Sequence, residues 1–320
     1  MPTPPAPGAD APLYLVYNAR SGKGQATDAL QAMQRSCQAL GRPLHEFPIG
    51  PQKPPKAQAR AAVEAATKTG GIVVVAGGDG TINAVAQAVL GSGCAFGVLP
   101  QGTFNYFGRN HGIPTETQDA VDAVLRHAPV AVQVGLVNDR AFLVNASMGL
   151  YATLLEDREH YKSRYGRSRW MAMFAAMVTL MRTHRPWNLR MSCRGTETEV
   201  KTLSLFVGNN ALQFEHVGVK EGEAVEDGEL AAVLVRPRGV LSQLGLVLNG
   251  FLRQLGSDDD VQTMSFRSLV VEPSGASRRQ RSVKVAADGE IERMQMPLRF
   301  TVSPEPLWLI KPPPHAAVRA

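Results

Sequence analysis

Cysteine is scarce in this 320-residue chain: Cys37, Cys94 and Cys193 are widely scattered and belong to no CxxC or CxxH pair. That spacing argues against both a disulfide framework and a zinc cluster, and a reducing, cytoplasmic setting is expected. The seven histidines (His45, His111, His127, His160, His184, His216, His315) form no HxH or HExxH pattern, so surface or satisfied roles are expected of them. No block of five like charges occurs, so no nucleic-acid arm is visible and no nucleic-acid partner is expected. Long apolar runs are missing too. The longest, Trp170 to Met181, is flanked by Arg167, Arg169 and Arg182. As a helix it would span roughly 18 Å, against roughly 30 Å of hydrocarbon. It is too short to cross a bilayer, so any membrane association is expected to be peripheral. Met1 to Pro12 has neither a basic n-region nor an apolar h-region, and its Pro- and Ala-rich composition reads as a disordered leader rather than a signal peptide.

What is present is a globular balance, with 44% hydrophobic and 19% charged residues. A chain of this length is expected to form two domains. The formal net charge of +6 and the pI of about 9.4 suit an anionic substrate or an anionic membrane surface. The sequence is silent on oligomeric state, and a homodimer stays open.

From Leu13 to about His127 strands and helices alternate. Leu13–Tyr17, Leu44–Phe47, Ile72–Ala76 and Ala95–Leu99 read as strands, and Ser21–Leu40, Lys56–Thr69 and Gly80–Leu90 as helices. The continuous β-branched run at Ile72 is the pattern of a strand buried on both faces. Such an order predicts an α/β domain with a parallel sheet, and ligands at the carboxyl ends of its strands. After about Pro129 the pattern becomes mostly β. Val130–Val137 and Arg140–Asn145 predict a hairpin around Asn138-Asp139. Short strands follow at Leu189–Cys193, Lys201–Val207, Leu230–Val235, Ser268–Glu272, Ser282–Ala286 and Leu298–Val302, interrupted by helical stretches near 167–182 and 240–255.

The Ile72 strand runs directly into Gly77-Gly78-Asp79-Gly80-Thr81, and a helix follows. Glycines let the backbone approach a ligand closely, and the amides opening a helix point at an anion. Thr81 can cap the helix or donate its hydroxyl to phosphate. A carboxylate such as Asp79 beside a polyphosphate implies Mg²⁺ between them. The bland reading is a Gly-rich turn in which Asp79 only caps its own helix. Two further strand ends weigh against it: Asn18-Ala19-Arg20-Ser21-Gly22-Lys23-Gly24 and Pro100-Gln101-Gly102-Thr103-Phe104-Asn105. Three parallel strands ending in Gly, Ser/Thr and Asn discharge into one crevice, where a nucleotide site is expected.

These segments resemble the diacylglycerol kinase catalytic-domain family of lipid kinases, which includes the sphingosine and ceramide kinases and is more distantly related to NAD kinase. The family's Asn-Pro-x-Ser-Gly stands here as Asn18 to Gly22, its Gly-Gly-Asp-Gly-Thr-x-Asn as Gly77 to Asn83, and its Pro-x-Gly-Thr-x-Asn as Pro100 to Asn105. Asn145 to Gly149, Gly208 to Asn210, Asp227 to Leu230 and Asp288 to Glu290 also look like that family's. The resemblance implies a nucleotide domain at 13–128 after a leader at 1–12. A β-sandwich for the lipid substrate then follows at 129–303, with the active site between the two domains, and a segment at 304–320 returns to the first domain. It further implies ATP held by Asn18, Ser21, Gly22, Gly77, Gly78, Asp79, Gly80, Thr81, Asn83, Gly102, Thr103 and Asn105. Asp288 would be the general base toward the lipid hydroxyl, supported by Glu290. A structural Mg²⁺ would sit at the Asp227 side chain and the carbonyls of Ala224 and Glu229. The implied activity is transfer of the γ-phosphate of ATP to diacylglycerol or a related lipid at a membrane surface.

Tyr106 departs from the family, many of whose members have Asp after the Thr-x-Asn, and Ala19 replaces the usual Pro. Two other functions therefore stay open: a kinase of a soluble acceptor, like NAD kinase, and a nucleotide-binding protein whose catalysis has decayed. Arg158, Lys162, Arg164, Arg167 and Arg169 form either a solvated basic face or a patch for anionic lipid heads. The stripe Leu241, Leu244, Leu248, Phe251 and Leu255 reads more readily as core than as membrane contact. Met171, Met173, Met177 and Met181 line an acyl-chain pocket or fill a core.

Overall fold

The computed structural model describes residues 3–18, 25–102, 104–149, 186–211, 214, 225, 227–237 and 261–313. Ser21, Gly22, Thr103, Ala224, the basic cluster at 158–169, the methionine run and the 240–255 stripe lie outside the described residues. Two compact units divide the chain: residues 1–134 with 303–320, and residues 135–302.

The first unit opens with β1 (Leu13–Asn18), α1 (Gln25–Ala39), β2 (Leu44–Ile49), α2 (Pro55–Thr69), β3 (Ile72–Gly77), α3 (Asp79–Val89), β4 (Ala95–Pro100), α4 (Tyr106–Asn110), α5 (Thr117–Arg126) and β5 (Pro129–Val132). Its last strand, β18 (Leu307–Ile310), comes from the far end of the chain. The sheet runs β2-β1-β3-β4-β18-β5. β1 to β4 and β18 are parallel, and β5 closes the edge antiparallel to β18. Every residue of β3 and β4 is buried, the outcome expected of apolar runs covered by helices on both faces. Leu13, Leu15, Val74 and Ala76 pack with Met33 and Cys37 of α1 and Val121 and Val124 of α5. Each fully buried aliphatic side chain here stabilises the unit by about 1.5–3 kcal/mol. α2 is nearly all alanine on its inner face (Ala59, Ala62, Ala66); Pro55 sits in its first turn, and Gly70 ends it in a left-handed cap at φ 65°.

The second unit holds β6 (Gly135–Val137), β7 (Arg140–Phe142), β8 (Asn145–Gly149), β9 (Trp187–Cys193), β10 (Thr196–Thr202), β11 (Ser204–Gly208), β12 (Leu230–Val235), β13 (Val261–Phe266), β14 (Ser268–Pro273), β15 (Ser282–Ala287), β16 (Glu290–Gln295) and β17 (Leu298–Val302). They form two six-stranded antiparallel sheets, β10-β9-β14-β17-β6-β7 and β13-β12-β11-β8-β15-β16. Alternate residues of both meet in one core, with Phe142, Leu189, Val271 and Phe300 from the first sheet and Met148, Leu205, Ala232, Phe266 and Val285 from the second. The architecture is an α/β unit with a parallel sheet followed by a β-sandwich. No helix among the described residues is long and apolar enough to cross a membrane.

Four expectations change. The division between the units falls at 134/135 rather than 128/129, because β5 pairs with β18 instead of continuing into the hairpin. That hairpin exists, but only as β6 and β7 around Asn138-Asp139. The strand expected over Lys201–Val207 is two strands in different sheets. Thr202 makes the corner, its hydroxyl donating to the carbonyls of Ser204 and Val235. Finally, the leader is tied down near its end: the guanidinium of buried Arg42 donates twice to the carbonyl of Ala11, at 2.7 and 3.1 Å.

Candidate functional site

In the parallel sheet, β1, β3 and β4 are neighbours, so Asn18, Gly77 and Pro100 end at one edge. Gly77 and Pro100 stand opposite each other in register, and the amide of Gln101 donates to the carbonyl of Gly77 at 2.9 Å. The turns that follow touch backbone to backbone. A Cβ on Gly102 would lie 3.0 Å from the Cα of Gly78 and 2.7 Å from Oδ1 of Asn105. A Cβ on Gly77 would lie 2.8 Å from that of Thr81, whereas one on Gly80 would meet nothing. Glycine is therefore required at 77 and 102 by close packing, and Gly80 presents open backbone. Gly78 precedes α3 without a side-chain cap; the amides of Thr81 and Ile82 donate to the Gly78 carbonyl at 2.9 and 3.0 Å, so backbone donors toward a ligand come from the residues before Thr81. The open backbone at Gly80 and its place at the start of α3 suit an anion such as a phosphate.

Asp79 has a role that the sequence did not disclose. Its carboxylate accepts the amides of Tyr106 at 3.4 Å and Phe107 at 3.3 Å, and so caps α4 rather than its own helix. Burial pushes the Asp79 carboxyl above its ordinary pKa, opposed by the amides of Phe107, Tyr106 and Asn105. Asn105, expected to meet nucleotide, braces its own loop: Oδ1 accepts the amide of Gly102 at 2.7 Å, with the backbone in the left-handed region at φ 47°. Such a partner cannot be inferred from spacing alone, since it depends on two strand-end loops meeting. Asn83 is buried in α3. Tyr106 opens α4, where its ring stacks on Phe104.

In the second unit, Asp288 and Gly289 form the two-residue turn between β15 and β16, both with positive φ, at 47° and 85°. That is the type I′ geometry of Asp-Gly hairpins. The side chain does more than turn. Oδ2 accepts the amide of Leu143 at 2.7 Å, and Oδ1 accepts those of Val144 and Asn145 at 2.9 Å each. The Asp288 amide returns a bond to the carbonyl of Asn145 at 2.9 Å. The carboxylate is thus held in one orientation at the start of β8. Glu290 forms an ion pair with Arg140 of β7, which also reaches Glu292 at 3.5 Å. Arg140 is a residue that sequence reasoning missed, and an isolated Arg at the start of a strand carries no signal that would have found it.

Asp227 is exposed in a turn with Gly228, whose φ is 81°, just before β12. Its carboxylate and the Glu229 carbonyl are suitable oxygen donors for a hard cation. The Glu229 carboxylate is engaged elsewhere, donated to by Arg194 at 2.6 Å. The Ser265 hydroxyl, first, and Arg194 hold its carboxyl below the usual range. Among the described residues no group of three or more His, Cys, Asp and Glu side chains could enclose a metal.

Residues 12–137 match the family described as diacylglycerol kinase catalytic domain, and residues 145–311 match the YegS C-terminal NAD kinase beta sandwich-like domain. A relative from Cronobacter sakazakii named "Probable lipid kinase YegS-like" is 30% identical over 159 residues, 48% of this chain and 51% of its own. A diacylglycerol kinase of Staphylococcus aureus strain Newman is 28% identical over 182 residues, 55% of this chain and 56% of its own. The chain spans about half the length of these curated relatives. A crystal structure named as a diacylglycerol kinase from Bacillus anthracis str. Sterne superposes with a TM-score of 0.65 at 18% identity, covering 94% of this chain and 97% of the other. A second structure from that organism gives 0.70 at 19% identity, with 94% and 98% covered. At such identities the structures speak for the fold alone. With both of its units matched, the chain belongs to the diacylglycerol kinase catalytic-domain family, and its second unit is the YegS-type β-sandwich.

Proposed function

We propose that the protein is an ATP-dependent lipid kinase that transfers the γ-phosphate to a hydroxyl of diacylglycerol or a related lipid. The observation that carries this reading is the pair of glycine turns after β3 and β4, locked together through Gly102 and Asp79 at the head of α3 in a chain of this family. Gly77 to Gly80 would supply amides and Thr81 a hydroxyl to the phosphates, and Asn18, Ser21, Gly22, Asn83 and Thr103 would complete the nucleotide's surroundings. Catalysis of phosphoryl transfer is mainly positioning and charge stabilisation. In this role Asp288 accepts the proton of the attacking hydroxyl, and its amide donors keep the carboxylate from turning away. Glu290, tethered by Arg140, supports that turn. Bound Mg²⁺ would neutralise phosphate charge beside Asp79, and a second ion at Asp227 with the Ala224 and Glu229 carbonyls would stiffen the entry to β12.

We place the enzyme in the cytoplasm, at a membrane surface by peripheral contact, a setting that the net charge of +6 favours. A soluble acceptor is the second reading, because the matched sandwich is described as NAD kinase-like. The test is ATP binding, read with a fluorescent analogue, beside label transfer in wild type and Asp288→Asn. A kinase keeps ATP binding in the variant and loses transfer. A protein that binds ATP without transferring phosphate to any lipid or to NAD is a nucleotide-binding module, and the proposal fails.

A further inference from the structure

The loop after β4 carries an aromatic pair that the phosphate cradle does not use. The rings of Phe104 and Tyr106 stack with centroids 5.6 Å apart and planes 7° apart. Phe104 is 50% exposed, the one aromatic among the large hydrophobic residues standing out from the described surface. The pair is not a loose loop tip. Tyr106 is the first residue of α4, and its amide and that of Phe107 are held by Asp79, the first residue of α3. Asn105, between the two rings in sequence, is fixed by its bond to Gly102. An apolar plate is therefore pinned directly beside the head of the phosphate-binding helix.

We propose that the Phe104–Tyr106 plate receives the apolar part of the acceptor next to its reactive hydroxyl, so that it helps select a lipid over a soluble alcohol; this rests on the lipid-kinase reading. Three physical points favour an acylglycerol here. The acceptor hydroxyl must come into line with the terminal phosphate, so whatever adjoins that hydroxyl lies within a few atoms of the cradle. For an acylglycerol, the adjoining glycerol diester is uncharged and leads into acyl chains, and covering half-exposed aromatic carbon with it removes apolar area from water. The plate adds no charge beside Asp79, and its order means that little conformational entropy is lost when a ligand packs on it. A nucleobase is a poorer match, because ribose and two further phosphates separate it from the reacting end of ATP.

The test uses the full chain and 1,2-dioctanoylglycerol below its aggregation limit. Phe104→Ala should raise KM for this acceptor about tenfold, ~1.4 kcal/mol, while KM for ATP changes less than about twofold. Phe104→Leu, which keeps an apolar side chain, should recover most of the loss. In parallel, Phe104→Trp should show an emission blue-shift on adding dioctanoylglycerol that the wild type does not show, and none on adding ATP alone. Several results would overturn the proposal: unchanged acceptor KM in Phe104→Ala, a rise in KM for ATP instead, or a Trp shift produced by acceptor-free phosphatidylserine vesicles but not by dioctanoylglycerol. The second would make the plate a base-stacking surface, and the third a membrane contact. If wild type phosphorylates no lipid, the lipid-kinase reading falls and takes this inference with it; if lipid turnover is intact and indifferent to residue 104, the inference alone falls.

Discussion

Asp288→Asn changes one oxygen to an amide nitrogen and removes a charge, and its consequences can be worked out from three hydrogen bonds. The retained oxygen can stay at the Oδ1 position and accept Val144 and Asn145, but as a neutral acceptor. Each of those bonds should weaken by about 1 kcal/mol. The new nitrogen faces the amide of Leu143, which loses its 2.7 Å acceptor. Leu143, Val144 and Asn145 are all buried, so the stranded donor costs about 1–3 kcal/mol. Asparagine tolerates the left-handed backbone at this position, so no strain is added. Together these come to about 3–5 kcal/mol. Asp288→Ala should be worse, since it strands all three amides and forces an alanine to φ 47°, which alone costs about 1–2 kcal/mol. Urea unfolding followed by circular dichroism gives the ordering: wild type, then Asp288→Asn, then Asp288→Ala, with the slope unchanged. In a scan, Tm should fall by about 6–20 °C for the asparagine variant. An Asp288→Asn protein that unfolds at the wild-type urea concentration would refute the reasoning, and the carboxylate could then be assigned to chemistry alone.

Three further outcomes are expected. Gly102→Ala places a Cβ 3.0 Å from the Cα of Gly78 and should cost about 1–3 kcal/mol along with ATP affinity, whereas Gly80→Ala, which meets no atom, should stay within about 0.5 kcal/mol of wild-type stability; equal urea midpoints for the two variants contradict the close approach. His111 stacks edge-on against Phe107, and burial, reinforced by Lys311, pushes its pKa from 6.5 down to about 3. It stays neutral in the folded protein while the unfolded chain takes up a proton, so its contribution is fully present above the ordinary histidine pKa and drains away as pH falls from 6.5 toward 3. Urea midpoints at pH 7 and pH 5 should therefore converge in His111→Phe, and an unchanged difference counts against the assignment. Mg²⁺ should raise the Tm of the wild type and chelation should lower it, with the increment absent in Asp227→Ala; a full increment in that variant places the ion elsewhere.

Much of the first unit was readable from local signals. The buried apolar runs of β3 and β4 and the glycines after them depend on neighbours in sequence, so strand, turn and helix start could be placed there. What could not be read is what long-range pairing decides. β5 looks like the first half of a hairpin, yet it joins β18 from the other end of the chain. Lys201–Val207 alternates like one strand, but Thr202 turns it from one sheet into the other. The same distinction separates site residues. Gly77 and Gly102 announce a close approach by being glycine, while the task of Asp79 emerges only when α4 presents its amides across 27 residues of chain. The base role of Asp288 came from the family resemblance alone; its backbone makes a turn, and its side chain reaches back across 145 residues to Leu143. Arg140 and Glu290 needed the register of the sandwich to be paired at all.

The most direct measurement is solvent partition of label after incubating the wild-type protein with γ-labelled ATP and Mg²⁺, using mixed micelles of diacylglycerol, phosphatidylglycerol, a sphingoid base or a polyprenol, with NAD as the soluble alternative. Label that moves into the organic phase as a phosphorylated lipid, and stays in the aqueous phase with NAD, is the predicted result, and it names the acceptor. Label transferred to NAD with every lipid left unlabelled would contradict the account and turn the same cradle over to a soluble substrate.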